Sequence, residues 1–206
     1  FEGGSNSTWT KDYSTFGNNG TVVNATWNST GGYDGFGAYQ FNGINSYVTI
    51  STTTPTVTQF TISAWVKPIG TFSKGCLGGD SCDMIVHGNP NIYYALNASG
   101  YPEFWIGSWT RANTPLTLNK YNYVVLTSNG TTITFYLNGV ADVSAAASIS
   151  SFKIDYIGIR PDVINSGYTF NGSIDNVQIY NRSLSLQEII LLNASRDYVL
   201  SNAETK

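Results

Sequence analysis

The chain has 206 residues and a net charge of −3; 11% of its residues are charged, 41% hydrophobic and 14% aromatic. A charged fraction under half the usual ~25%, with Lys and Arg scattered singly, excludes the basic footprint of a nucleic-acid binder. No run of about 18 apolar residues is present, so direct membrane insertion by a helix is not expected.

In chain order, the predicted elements are almost all strands. Tyr47 to Thr52 ("YVTIST") alternates by two, and so does Phe60 to Pro68 ("FTISAWVKP"), which puts Phe60, Ile62, Ala64 and Val66 on one face. Tyr121 to Gly139 reads as a hairpin turning at Asn129-Gly130, the dipeptide suited to the positive φ angles of a type I′ turn, with Asn138-Gly139 ending its second strand. "SFKIDYIGIR" and "GSIDNVQIY" supply further strands, the second placing Asp175 on the face of Val177 and Ile179. An isolated carboxylate buried there would be costly or would take up a proton, so Asp175 requires something to hold it. Ser185-x-x-Glu188 is a capping box ahead of Ile189 to Leu192 and predicts one short helix. Residues from about 199 to 206 read as a frayed tail. The sum is an all-β fold, a two-sheet antiparallel sandwich, expected as a single domain over 1–206. Phe1 is not an initiator Met, so the chain reads as a mature or excised piece of a larger surface protein.

Nine asparagines sit in N-x-S/T: Asn6, Asn19, Asn24, Asn28, Asn97, Asn129, Asn171, Asn181 and Asn193. With 21 Asn and 45 Ser plus Thr, chance gives roughly five. The excess points to an extracellular or cell-surface glycoprotein. Cys76 and Cys82, in "CLGGDSC", enclose a Gly-rich loop short enough for a disulfide, or stand as two free thiols. A bridge across so small a ring contributes at most about 2.4 kcal/mol, so it would shape a loop rather than hold the fold.

Five stretches line up in order: "DYSTFGNNGTV" (Asp12 to Val22), "FNGINSYVTI" (Phe41 to Ile50), "FTISAWVKP", "TFYLNG" (Thr134 to Gly139) and "FNGSIDNVQIYNRSLSLQEI" (Phe170 to Ile189). Together they resemble the laminin-G-like, concanavalin A-like jelly roll of lectins and glucanases, over nearly the whole chain. The resemblance implies two curved antiparallel sheets, a concave face for carbohydrate and a structural calcium ion on the convex side. Asn42 stands where the family pattern commonly has Asp in F-D-G, and Asn176 where it has Glu after the I-D pair. Both lower the charge available to a metal, although amide oxygens and carbonyls also coordinate calcium. On this reading Asp175 anchors the ion, with Glu2 and the Asn42-Gly43 turn completing its oxygen sphere and Asp12 and Asn19 next in line. The alternative is that Asp175 accepts backbone N–H groups at a strand end and Asp12 starts an Asx-turn.

Catalysis has little support. Retaining glucanases of this type carry closely spaced acids on one strand face, with carboxyl groups about 5 Å apart. No two successive acids among the thirteen here stand two or four residues apart. One histidine, His87, and no G-x-S-x-G leave no triad, and His and Cys are too few for a zinc site. Sugar binding fits better, because it needs aromatic platforms beside amide, carboxylate and Arg partners. "YPEFWIGSWTRAN" offers Trp105, Trp109, Arg111 and Asn113, with His87 and Tyr93 on the same rim. The expected function is a non-catalytic extracellular carbohydrate-binding or adhesion module, its partner a carbohydrate or cell-surface glycoprotein. A self-assembling structural or protein-interaction domain is the alternative, and a glycan-active hydrolase the third reading.

Overall fold

Alternation by two is realised as two stacked sheets in the computed structural model, which describes residues 5–50, 57–72, 83–90, 92–149, 151–161 and 168–194. With strands numbered in chain order, the eight-stranded sheet runs β1 (Trp9–Thr10), β2 (Gly20–Val23), β5 (Tyr47–Ile50), β14 (Lys153–Ile157), β7 (Asp83–Asn89), β8 (Ile92–Leu96), β9 (Pro102–Trp105), β10 (Trp109–Arg111). The seven-stranded sheet runs β13 (Val140–Ala146), β12 (Thr132–Leu137), β11 (Asn122–Asn129), β6 (Gln59–Pro68), β15 (Asn171–Tyr180), β4 (Ala38–Asn42), β3 (Thr26–Asn28). All strand pairs are antiparallel, so the predicted jelly-roll sandwich is the fold.

Phe60, Ile62, Ala64 and Val66 of β6 do point one way, into the core between the sheets, where Phe60 meets Phe152 edge-on at 5.0 Å and Phe104 at 6.1 Å. Phe60, Ile62 and Val66 each stabilise the fold by about 1.5–3 kcal/mol through burial. The opposite face of β6 presents Trp65, which packs with Tyr123 and Val125 beneath the helix α1 (Leu186–Ala194) through Leu184, Ile189 and Leu192. The capping box forms as predicted: the Glu188 N–H donates to Ser185 Oγ at 3.4 Å and the Ser185 N–H to Glu188 Oε2 at 2.8 Å. Arg182 adds a two-pronged ion pair to the same carboxylate at 3.1 and 2.7 Å, which draws the Glu188 acid down to about 2.

Two local readings change. The type I′ turn lies at Asn138-Gly139, whose φ angles are 51° and 79° and which closes Leu137 directly onto Val140. At Asn129-Gly130 Gly130 takes positive φ and Asn129 does not, and Asn129 Oδ1 instead caps the N–H groups of Thr131 and Thr132 in a longer loop. The second change concerns Asp175. A β-bulge separates the Asp175–Trp65 and Gln178–Ser63 pairings, with Asn176 at φ 50°. Asp175 therefore lies on the Trp65 side of the sheet, while Val177 packs against the core from the other side.

Candidate functional site

The outer face of the eight-stranded sheet carries rings on strand after strand. Val48 of β5 and Ile157 of β14 face the core, so their neighbours Tyr47 and Tyr156 face outward. His87 of β7 stands opposite both Tyr156 and Tyr93, Tyr93 of β8 opposite Trp105, and Trp105 of β9 opposite Trp109 of β10. The rings meet in succession: Tyr47 and Tyr156 at 5.9 Å, Tyr156 and His87 at 5.9 Å, His87 and Tyr93 at 5.4 Å, Tyr93 and Trp109 at 6.3 Å, Trp109 and Trp105 at 5.2 Å. The centre of the row is polar. His87 Nδ1 lies 2.7 Å from Asp155 Oδ1, and the Arg160 guanidinium lies over Tyr93 at 4.6 Å and over Tyr168 at 5.1 Å. Arg160 and Tyr168 belong to the connection between β14 and β15, pinned by an Ile159–Thr169 bridge and by the Arg160 N–H donating to the Tyr168 carbonyl at 3.0 Å. Met84, Tyr93 and Ala95 form a buried floor under the half-buried Trp105, Trp109 and Tyr168. Rings flanked by a carboxylate, an imidazole and a guanidinium suit a ligand with apolar C–H faces and hydroxyl edges.

Beneath the Trp end lies Glu103, fully buried in β9. Its Oε1 accepts from Asn97 Nδ2 at 2.7 Å, while Oε2 is buried without a hydrogen-bond partner. Burial pushes its acid up, opposed by Asn97 and by the charge of Arg111. A folded-state value above the unfolded one means that the protonated form is favoured by folding, so this contribution is present in acid and is lost as pH rises through the folded value. Glu103→Gln keeps the Asn97 contact and removes the charge. Its expected result is a higher melting temperature than wild type at pH 8, because the buried charge is gone, with the difference vanishing near pH 4; equal gains at both pH values would refute the assignment.

A second polar cluster lies on the outer face of the other sheet. Asp175 Oδ2 accepts the Tyr33 N–H at 2.9 Å, and Tyr33 stacks on Trp65 with ring centroids 3.4 Å apart. A Cβ built on Gly32 would lie 2.7 Å from Asp175 Oδ2, 3.0 Å from Asp34 Oδ1 and 3.0 Å from the Phe36 carbonyl oxygen. Three oxygens thus converge where only glycine fits. Asp34 Oδ2 is buried without a hydrogen-bond partner. Burial pushes the Asp175 acid up, the N–H groups of Tyr33 and Asn176 oppose this, and the neighbouring Asp34 charge adds to it. Converging hard oxygens with two carboxylates fit a cation such as calcium. Among the described residues no three His, Cys, Asp or Glu side chains cluster, so carbonyl oxygens would have to share the coordination.

Of the residues singled out from sequence, Trp105, Trp109, His87 and Tyr93 come together on the ring-bearing face. Arg111 lies at its rim, over the Tyr101 ring at 5.0 Å. Asn113 is tied by its backbone N–H to Asp142 of β13, in the other sheet. Asn42 Oδ1 accepts from the N–H groups of Ile44, Asn45 and Ser46, closing the turn that contains Gly43. Asp12 accepts from Ser14 and Asn18, and Asn19 Oδ1 from the Asp12 N–H, so both belong to the β1–β2 loop. Neither turn supplies a recorded contact to Asp175. Glu2, Cys76 and Cys82 lie outside the described residues. Sequence reasoning missed Asp34, whose "GGYDG" setting was its signal, and Tyr47, Tyr156, Asp155, Arg160 and Tyr168, which are distant in sequence from the Trp segment.

The family model for the concanavalin A-like lectin/glucanases superfamily matches residues 41–190. A comparison with curated protein sequences finds no match. Among solved structures, domain 4 of AbnA, an extracellular arabinanase of Geobacillus stearothermophilus solved with arabinotriose, is similar at TM-score 0.64 and 18% identity, covering 92% of this chain and 100% of that one. A putative carbohydrate binding protein of Bacteroides ovatus gives TM-score 0.62 and 18% identity over 74% of this chain and 45% of that one. Trypanosoma rangeli sialidase with sialic acid gives 0.68 and 16% over 93% of this chain and 32% of that one. The chain thus spans less than half of the last two proteins, and at these identities the likeness is one of fold.

Proposed function

The chain belongs to the concanavalin A-like lectin/glucanase superfamily, and we propose that it is a non-catalytic extracellular carbohydrate-binding or adhesion module that takes its ligand on the outer face of the eight-stranded sheet. The observation that carries this reading is the succession of rings from Tyr47 to Trp105 around a polar centre of His87, Asp155 and Arg160. The non-catalytic part rests on spacing. Glu103 and Asp155, the carboxylates on this face among the described residues, stand on β9 and β14, three strand steps or roughly 14 Å apart. Glycoside hydrolysis needs about 5 Å for retention or roughly 6.5–9.5 Å for inversion. A glycan-array screen of the folded domain tests the reading. Reproducible retention without product release supports it, product release transfers it to a hydrolase, and concentration-dependent assembly without retention transfers it to a self-associating structural domain.

The second part of the proposal is a structural calcium held by Asp175 and Asp34 with the Phe36 carbonyl. The ion would offset the repulsion between the two carboxylates and brace the Gly32–Phe36 turn against the sheet. Chelation is then expected to lower the melting temperature, by an amount equivalent to about 2.7 kcal/mol for an ion present at a hundred times its Kd. Asp175→Asn should lower melting in calcium but not in chelator, because without the ion the buried carboxylate is itself a cost. Identical melting with and without calcium, in wild type and variant, would end the assignment.

A further inference from the structure

The nine N-x-S/T asparagines are not equivalent once folded, and we infer that Asn6, Asn28 and Asn129 are the N-glycan acceptors while Asn97 is closed to modification. This rests on the extracellular reading above. In each of the three, the asparagine is exposed and its Oδ1 accepts both the N–H and the Oγ1 of the Thr two residues on. The distances are 2.8 and 2.8 Å at Asn6, 3.1 and 3.4 Å at Asn28, and 3.0 and 3.1 Å at Asn129. The motif hydroxyl is thus held on the amide being modified, and all of the recorded contacts use Oδ1. None of these contacts occupies Nδ2, the atom that bonds to the sugar.

Asn97 is the reverse case. It is 7% exposed, its Nδ2 donates to the fully buried Glu103 at 2.7 Å, and its Oδ1 accepts from the Ser99 and Tyr101 N–H groups at 2.9 and 3.1 Å. A sugar on that nitrogen would have to fit where the asparagine is almost wholly buried and its amide lies against a buried carboxylate. Asn171 and Asn193 are also withdrawn, donating Nδ2 to the carbonyls of Ile69 at 3.2 Å and Asn138 at 3.3 Å. Asn19, Asn24 and Asn181 are exposed without the hydroxyl contact and fall between the two groups.

The placement of the two classes has a functional sense. Asn28 and Asn129 lie on β3 and β11 of the seven-stranded sheet, and Asn6 precedes β1 at the far edge of the other. Asn97 follows β8, at the end of the ring-bearing strands. Glycans on the acceptor class leave the ring-bearing face bare.

The test is site occupancy in the chain secreted from a eukaryotic cell, read by peptide mass after enzymatic glycan release in heavy-oxygen water. Thr8→Ala, Thr30→Ala and Thr131→Ala are each expected to remove one glycan. Ser99→Ala deletes the Asn97 motif but keeps the backbone N–H on Asn97 Oδ1, and is expected to change neither the number of glycans nor the secreted yield. A glycan on Asn97 in folded secreted protein, or bare asparagines at all three acceptor positions, would overturn the inference. Occupancy is read whether or not the domain retains a glycan on an array, so failure of the binding reading shows separately.

Discussion

Trp109→Ala is expected to lower glycan affinity by about 10- to 100-fold while the domain stays folded. The ring is half-buried against Trp105 and Tyr93, with part of its surface left for a ligand. Covering an aromatic of this size stabilises a complex by about 1.5–3 kcal/mol, and each 1.4 kcal/mol is tenfold in affinity. Titration calorimetry against whichever glycan the array retains reads the change. Trp65→Ala serves as the contrasting variant, because Trp65 is 5% exposed on the other sheet, between Tyr33 and Tyr123. That change should cost about 3–5 kcal/mol of stability and leave the affinity of folded molecules unchanged. Wild-type affinity in the Trp109 variant, or a loss that merely tracks unfolding, would remove the site from this face.

Gly172→Ala is expected to destabilise the fold by forcing β15 away from its neighbour β6 within the seven-stranded sheet. Gly172 opposes Pro68 in the β15–β6 ladder with φ at 140°, and an added Cβ would stand 2.1 Å from the Lys67 carbonyl oxygen and 3.0 Å from Pro68 Cα. Both obstacles are backbone, so no side chain can swing away. Overpacking costs about 1–3 kcal/mol, and a φ that L side chains rarely adopt adds to it. Thermal melting should fall by roughly 10 °C, or the variant should be recovered only as aggregate. Gly35→Ala is the control, since its φ is also positive at 90° but nothing lies within 4 Å of the added atom. Equal melting of the two variants would mean that β15 approaches β6 less closely than described.

Much of the fold was legible because it is written in local alternation. Phe60 to Val66 announced a buried strand, and Ser185 with Glu188 announced the helix end. What the sequence did not announce depends on contacts between distant segments. Asn129-Gly130 and Asn138-Gly139 look alike as dipeptides, and which becomes the tight turn depends on the register of β12 against β11 and β13. The candidate site divides the same way. Trp105 and Trp109 are near in sequence and share a hairpin, so they were found together. Tyr47, Tyr156 and Arg160 join them only because β14 pairs with β5 on one side and β7 on the other. Asp34 was hidden because the carboxylate it lies beside, Asp175, is far along the chain.

The bulge at Asn176 also makes odd and even numbering an unreliable guide along β15. Asp175 and Val177 share parity in the sequence, yet belong to opposite surfaces of the sheet. Removing the single residue 176 would restore strict alternation and leave Ile174, Asp175 and Val177 on the surfaces they already occupy. The extra residue is therefore superfluous to the packing count. Its Asn176 N–H is nonetheless one of the backbone donors that reach the Asp175 carboxylate, so the surplus residue of the strand is spent on holding its one buried acid.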